Sequence, residues 1–411
     1  MRFIIEIVGI IIILMMLGGI GLAINSKIST AQIRRHAALA YTVVIAIHAS
    51  ISIWNGFYGP IYGASNDALE FHKAAVLYFN ENSTANLLIP GWVYSIFLAI
   101  VYALINDSWA IGCLLSTVVF GLLCIASINL YKVLSVEKNI DFIGADKATV
   151  FIILLMGLIP TSIVLTSITM REVYQMLFLC LLLLFSVKFI QAPNFFDAVL
   201  ILLLLALFAT LHALFIYYGV IYLIAFITFQ FRKYLTLIPP IFLLIIMLLA
   251  IGFLFMVDVS PMFAIVNKFV EGTGGAELAR AYYGLPDISA NIFSIISFMT
   301  KSFLNYMVRP FLWEMTSVID LTTFAENTLR LFFIWRLFVL RSYLSASMVW
   351  TIFAALLLEL LWGMGTLNWG TAQRHHLVAW PLFVVLYFAV LIRFKASKVR
   401  GLSTNINHHA F

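Results

Sequence analysis

Apolar residues run through this chain in stretches close to 20 residues long, parted by short polar segments. That rhythm predicts helices that cross a membrane. The runs fall at roughly 3–24, 37–55, 109–131, 148–166, 173–190, 195–211, 213–230, 236–256, 324–341, 345–363 and 377–393, about eleven spans. Strand-like alternation is absent, so the pattern does not describe a barrel. Backbone groups in hydrocarbon must be paired within their own segment, which helices achieve. The expected fold class is all-α: a polytopic transmembrane helical bundle forming one integral membrane domain, residues 1–411.

One further apolar run, Ile89 to Ile105, is short and opens on Ile89-Pro90-Gly91-Trp92. Charge decides how to read it. Lys27, Arg34 and Arg35 mark one loop as cytoplasmic. So do Lys132, Lys138 and Lys147, then Arg232 and Lys233, then Arg393, Lys395, Lys398 and Arg400. A membrane crossing at Ile89–Ile105 would move the second of these loops to the other side. An interfacial or re-entrant segment keeps all four together. The N-terminus is then expected outside and the C-terminus in the cytoplasm, with two long extracytoplasmic loops at 56–108 and 257–323. Asn291 to Tyr306 reads as an amphipathic helix on the membrane surface. The first run carries Glu6 and no small-residue cleavage site before Lys27, so it reads as a retained span rather than a signal peptide.

Composition agrees with the pattern. The chain is 64% hydrophobic and 10% charged, with a mean hydropathy of +1.07, which excludes an ordinary soluble domain. The net charge of +6 comes from residues between spans, so it reports orientation and not nucleic-acid binding. Cys113, Cys124 and Cys180 all lie inside apolar runs and read as small core residues.

In a membrane protein this poor in charge, polar clusters sit where something polar happens. The first is Asn66-Asp67-Ala68-Leu69-Glu70-Phe71-His72-Lys73. Asp67 and Glu70 share a helix face. The cluster reads either as a general base or hydroxyl-binding site, or as a solvated helix with a Glu70–Lys73 pair. The second is Arg171-Glu172, which follows Pro160 to Ser167. It is either a helix-capping ion pair or an anion or sugar site facing a cavity. The second outer loop holds Glu271-Gly272-Thr273-Gly274-Gly275, Arg280, Lys301 and Arg309-Pro310-Phe311-Leu312-Trp313-Glu314. Its glycines lack the Walker lysine pattern, so it is no P-loop. Its basic residues either snorkel to headgroups or bind phosphate. The last cluster, Asn368 to His376, sets Arg374, His375 and His376 just before the final span. A guanidinium fork suits phosphate oxygens and imidazoles donate or relay protons. The alternative is an interfacial belt anchored by Trp369 and Trp380. No spacing matches a strong metal-ligand signature. His212, between two apolar runs, receives no role.

In their order along the chain these passages resemble the C-type integral membrane glycosyltransferases, and among them the O-antigen and exopolysaccharide polymerase-like proteins. The resemblance rests on Asn66 to His72 with Pro90-Gly91-Trp92, Pro160 to Glu172, Arg309 to Glu314, and Gly370-Thr371 with Arg374-His375-His376. It implies a sugar carried on a polyprenyl phosphate or diphosphate, used in cell-envelope polysaccharide assembly at the outer face of the inner membrane. It implies catalysis by Asp67, with Glu70 and His72 beside it. It implies lipid-phosphate or substrate binding by Arg171, Glu172, Arg280, Arg309, Trp313, Glu314, Arg374, His375 and His376. The transfer would be inverting and metal-independent, with no cofactor beyond the lipid-linked donor. The implied partners are the bilayer, the polyprenyl-linked saccharide and other glycan-assembly proteins, and no nucleic acid. The absence of a Trp-Trp-Asp motif argues against transfer to protein. A transporter or flippase is the rival reading. Such proteins carry charge at the membrane midplane and paired repeats, whereas here only Glu359 and Arg336 stand out as intramembrane charges.

Overall fold

The computed structural model describes residues 2–61, 65–81, 93–135, 142–230, 281, 283, 292–366 and 368–408. Among them the protein is all helix, without a strand. The chain begins with α1 (Arg2–Ser26), α2 (Ala31–Tyr58), α3 (Ser65–Glu81), α4 (Val93–Leu104) and α5 (Trp109–Ser135). It continues through α6 (Phe142–Gly157), α7 (Pro160–Leu165), α8 (Glu172–Gln191), α9 (Phe195–Leu211) and α10 (Leu214–Gln230). The last described part holds α11 (Ile292–Val308), α12 (Val318–Val339), α13 (Ala346–Gly365) and α14 (Trp369–His408).

Among the described residues six helices, α1, α2, α5, α8, α13 and α14, are long and apolar enough to cross a membrane, while α4, α9 and α10 are apolar but shorter. The bundle is organised around α5, which packs against α1, α2, α6, α8 and α14. Burial grades outward from it. In the most apolar window, 83% of α5 is inside the protein but only 28% of α1. Side chains such as Met15, Leu22, Phe195 and Ile224 are exposed apolar groups on the outside of the bundle, the surface a bilayer covers. Small residues bring the central helices close: a Cβ at Gly56 would lie 2.3 Å from Cα of Ala110, so α2 and α5 touch backbone to backbone there.

Two sets of contacts define the two ends of the bundle. At one end Ser29 donates to Asp146, Lys132 donates to the Lys27 carbonyl, and Gln191 reaches the Val133 carbonyl. At the other end Ser108 donates to Glu6, Asn55 to the Ser167 carbonyl, and Arg374 to Asp67 and Glu172. Among the described residues, two loops read as cytoplasmic, those around Lys27 and Lys132, thus share the first end, and loops read as external share the second. The 236–256 run lies outside the described residues.

Three sequence expectations change. The 148–166 run is not one helix. Pro160 lacks an N–H and crowds the preceding turn, so α6 stops at Gly157 and Ile159 turns extended before the short α7. His48 repairs the break, with Nε2 donating to the Gly157 carbonyl and Nδ1 meeting the Thr166 hydroxyl. Second, Arg374, His375 and His376 do not precede the last helix but sit on its second turn, because α14 starts at Trp369 behind an Asn368 cap. Third, α11, read as a surface helix, is also anchored to the bundle. It packs on α13, burying Tyr306 and donating from Ser302 to the Gly363 carbonyl. The described part of the Ile89–Ile105 run, α4, has 12 residues, about 18 Å, which falls short of the roughly 30 Å hydrocarbon core.

Candidate functional site

The site lies at the Arg374 end of the bundle, where the first turns of α3 and α8 meet the second turn of α14. The break after α6 is what opens this place. Residues 166–171 form a buried loop whose polar groups need partners. Thr169 donates to the Ala68 carbonyl and receives the Trp109 indole N–H, and Asn55 serves the Ser167 carbonyl. These bonds fix α3 over the loop and set Arg171 and Glu172 at the head of α8.

Arg374 is the hub. Its Nη2 donates to Glu172 Oε1 at 2.7 Å and its Nε to the same oxygen at 3.3 Å. Its Nη1 donates to Asp67 Oδ2 at 2.7 Å. The two carboxylates differ in setting: the Glu172 side chain is 4% exposed and that of Asp67 is 53% exposed. Arg171 lies alongside, its Nη1 on the Leu211 carbonyl and its guanidinium 5.4 Å from the Phe71 ring centre. Arg171 Nε and Glu172 Oε2 are buried and have no hydrogen-bond partner among the described residues.

Two imidazoles and an indole close the far side. His375 stacks on Trp362 at 3.6 Å, with Nδ1 meeting the Thr366 hydroxyl. His212 packs edge-on against the same indole at 4.7 Å. Its Nδ1 accepts from the Leu214 N–H, so the neutral ring carries its proton on Nε2. Burial, reinforced by the charges of Arg171 and Arg374 and opposed by Glu172, pushes the His212 pKa down to about 4. Sequence reasoning gave His212 no role; its only signal was a lone polar residue between two apolar runs.

A cleft of about 230 Å³ opens beside Arg374, between α7, the head of α12 and the head of α14. Pro160, Val164 and Leu165 form one wall and Val318 and Ile319 the other, with Thr161, Gln373 and Arg374 supplying polar groups. Val318 is 77% exposed, so the apolar wall continues onto the outside of the bundle.

The remaining sequence candidates fall elsewhere. Glu70 pairs with Lys73 at 3.2 Å on an exposed face, as a solvated helix would. His72 turns inward to the Tyr102 hydroxyl at 2.8 Å and stacks over Trp109. Burial lowers its pKa against the opposing pull of Asp107. The polar run around Asp67 is therefore not one cluster, and Asp67 alone of its three candidates meets Arg374. Arg309, Trp313 and Glu314 form a separate group. Arg309 Nε lies 3.4 Å from Glu314, its Nη1 donates to the Tyr283 carbonyl, and Trp313 stacks on Phe311 while 80% exposed. Arg280 lies outside the described residues. His376 faces away from His375, into a buried network with Glu359 and Arg330. Arg336, expected inside the membrane, stands in the last turn of α12 over Trp335; the arginine buried inside the bundle on this helix is Arg330, 1% exposed. Among the described residues no group of three or more His, Cys, Asp or Glu is placed to hold a metal ion.

No family model, no curated protein and no solved structure matches the chain.

Proposed function

We propose that this protein is an integral membrane glycosyltransferase, of the repeat-unit polymerase kind, that uses a polyprenyl phosphate- or diphosphate-linked sugar in envelope polysaccharide assembly. The observation that carries the reading is the meeting of Asp67, Arg171, Glu172 and Arg374, drawn from three distant parts of the sequence, beside a cleft with an apolar wall. Glycosyl transfer builds charge on the leaving phosphate, and fixed guanidiniums in a sheltered site stabilise it. The apolar wall suits the isoprenoid chain, entering from the side.

The two carboxylates take different parts. Glu172 is buried and holds Arg374 in place. Asp67 is half-exposed and reaches Arg374 through a single nitrogen. A phosphate arriving at Arg374 competes with Asp67, not with Glu172. The displaced Asp67 carboxylate is then free to take the proton of the acceptor hydroxyl as that oxygen attacks the anomeric carbon. The bond to the phosphate breaks on the opposite face, which gives inversion without a metal. Asp67→Asn and Arg374→Ala are expected to abolish glycan assembly while the protein stays in the membrane. Glycan of normal length and amount in both variants would overturn the reading.

A polytopic transporter or flippase is the second reading. The buried polar network of Arg330, Glu359 and His376 inside the bundle favours it, since buried charge marks transport pathways. Uptake or flipping of a polar solute by the purified protein in vesicles, with no transferase activity, would select it.

A further inference from the structure

The Arg330–Glu359–His376 network joins α11, α12, α13 and α14 and touches neither Asp67 nor Glu172. His376 Nε2 lies 2.9 Å from the Tyr306 carbonyl, and its Nδ1 lies 2.6 Å from Glu359 Oε2. A carbonyl only accepts, so Nε2 carries a hydrogen. Nδ1 and Oε2 cannot both present lone pairs at 2.6 Å, so one proton lies between them. Arg330 stands beside the pair, its Nη1 3.8 Å from Glu359 and its Nη2 on the Met307 carbonyl. Its Nε and Nη1 have no hydrogen-bond partner among the described residues, though the residue is 1% exposed. An arginine so buried with two unserved nitrogens calls for a further acceptor.

A cavity of about 20 Å³ supplies the place for one. It is lined by Arg330, His376, Glu326, Asn327 and Gln373. That is room for one water with several polar neighbours. Glu326 faces this cavity and also receives the Thr161 N–H and hydroxyl and the Gln373 amide. Thr161 and Gln373 in turn line the larger cleft beside Arg374. Further along α14, Leu377 and Trp380 form the cavity's apolar wall.

We propose that the Glu359–His376 pair is a proton-binding site, served from the Arg374 cleft through a water held in this cavity. On release, the pair's shared N–H or O–H bond breaks and the proton passes to the cavity water. That water gives up a proton to the Glu326 carboxylate, which delivers it to the cleft; uptake reverses each step. The charged and titratable groups facing the pair are Arg330 on α12 and Tyr306 on α11, with Glu326 and Tyr283 beside Arg330. The site holds its proton whichever function the cleft serves.

The test is infrared difference spectroscopy of the full chain in nanodiscs, recorded after a pH jump in light and heavy water. Wild type is expected to give a difference signal from the pair, in the carboxyl or the imidazole region, that Glu359→Gln removes. The glutamine amide keeps a donor toward His376 Nδ1, so this variant retains the packing. Glu326→Gln removes the carboxylate that takes the proton from the cavity water, leaves the pair intact and is expected to slow the signal at least about tenfold. A full signal in Glu359→Gln, or an unchanged rate in Glu326→Gln, overturns the proposal. Should Glu359→Gln not fold, the Glu326→Gln rate decides alone.

Discussion

The unequal burial of the two carboxylates on Arg374 makes a quantitative prediction. Arg374→Ala strands Glu172, whose side chain is 4% exposed and whose other oxygen has no partner. Breaking one side of a buried ion pair costs about 3–5 kcal/mol. Asp67, 53% exposed, regains water when its partner goes, and such pairs are worth about 0–1 kcal/mol. Arg374→Ala with Glu172→Gln removes the stranded charge along with its partner. It should therefore be more stable than Arg374→Ala alone, with a coupling of about 2–3 kcal/mol. The cycle of Asp67→Asn with Arg374→Ala should give less than about 1 kcal/mol. The assay is reversible unfolding in nanodiscs followed by tryptophan fluorescence, for which the chain has nine indoles. A double variant no more stable than Arg374→Ala, or an Asp67 coupling as large as that of Glu172, would refute the division of labour between the carboxylates.

Three further outcomes follow from the geometry. Gly56→Leu places a side chain where even a Cβ meets the Ala110 backbone at 2.3 Å, whereas Gly18→Leu meets nothing within 4 Å. Size-exclusion profiles should show the first variant aggregated and the second like wild type. His212 titrates near 4 in the folded protein, below its ordinary 6.5, so between those values the unfolded chain holds a proton that the folded one lacks. Stability should fall as pH drops from about 7 to about 4, by about 3 kcal/mol from this residue; melting scans of His212→Gln should show a correspondingly shallower acid loss, and an identical acid limb counts against the burial. Cysteines placed at Ser65 and Asn139 should react with an impermeant thiol reagent from outside only at position 65; labelling at both would overturn the assignment of sides.

The apolar runs made the helices readable because membrane-length segments announce themselves by length alone. The break at Pro160 was less readable, since a proline inside an apolar run is tolerated in many membrane helices once other groups serve the freed carbonyls. Here His48 and Asn55, more than 100 residues upstream, do that service. Nothing local to residues 148–166 records them. The site shows the same division. Arg171, Glu172 and Arg374 drew notice as charges beside apolar runs, and all three reach one place. Which carboxylate of the Asp67–Glu70 pair joins them depends on the rotation of α3, fixed by Thr169 on the Ala68 carbonyl. Arg330 escaped notice because, within the 324–341 run, nothing local shows that Glu359 and His376 on two later helices pack against it.

Helix direction explains why the acidic groups of this site stand where they do. Asp67 lies in the first turn of α3 and Glu172 in the first turn of α8, where the helix dipole stabilises negative charge. Arg374, near the start of α14, gains nothing from its own dipole and depends on those two carboxylates. Remove the carboxylates in thought, and three helix starts with two guanidiniums make a strongly electropositive pocket, the kind that binds phosphate groups. Glu172, buried and doubly bonded, keeps part of that charge compensated at all times. Asp67, at a single contact and half in solvent, is the part an incoming phosphate can replace. An anion that binds the cleft should therefore bind more tightly to Asp67→Asn than to wild type, because the asparagine no longer competes as a charge. Inorganic phosphate or pyrophosphate titrated against both proteins measures the difference directly. Equal affinity would mean that the Asp67–Arg374 contact is a passive surface pair, and the exchange of carboxylate for phosphate would have to be abandoned.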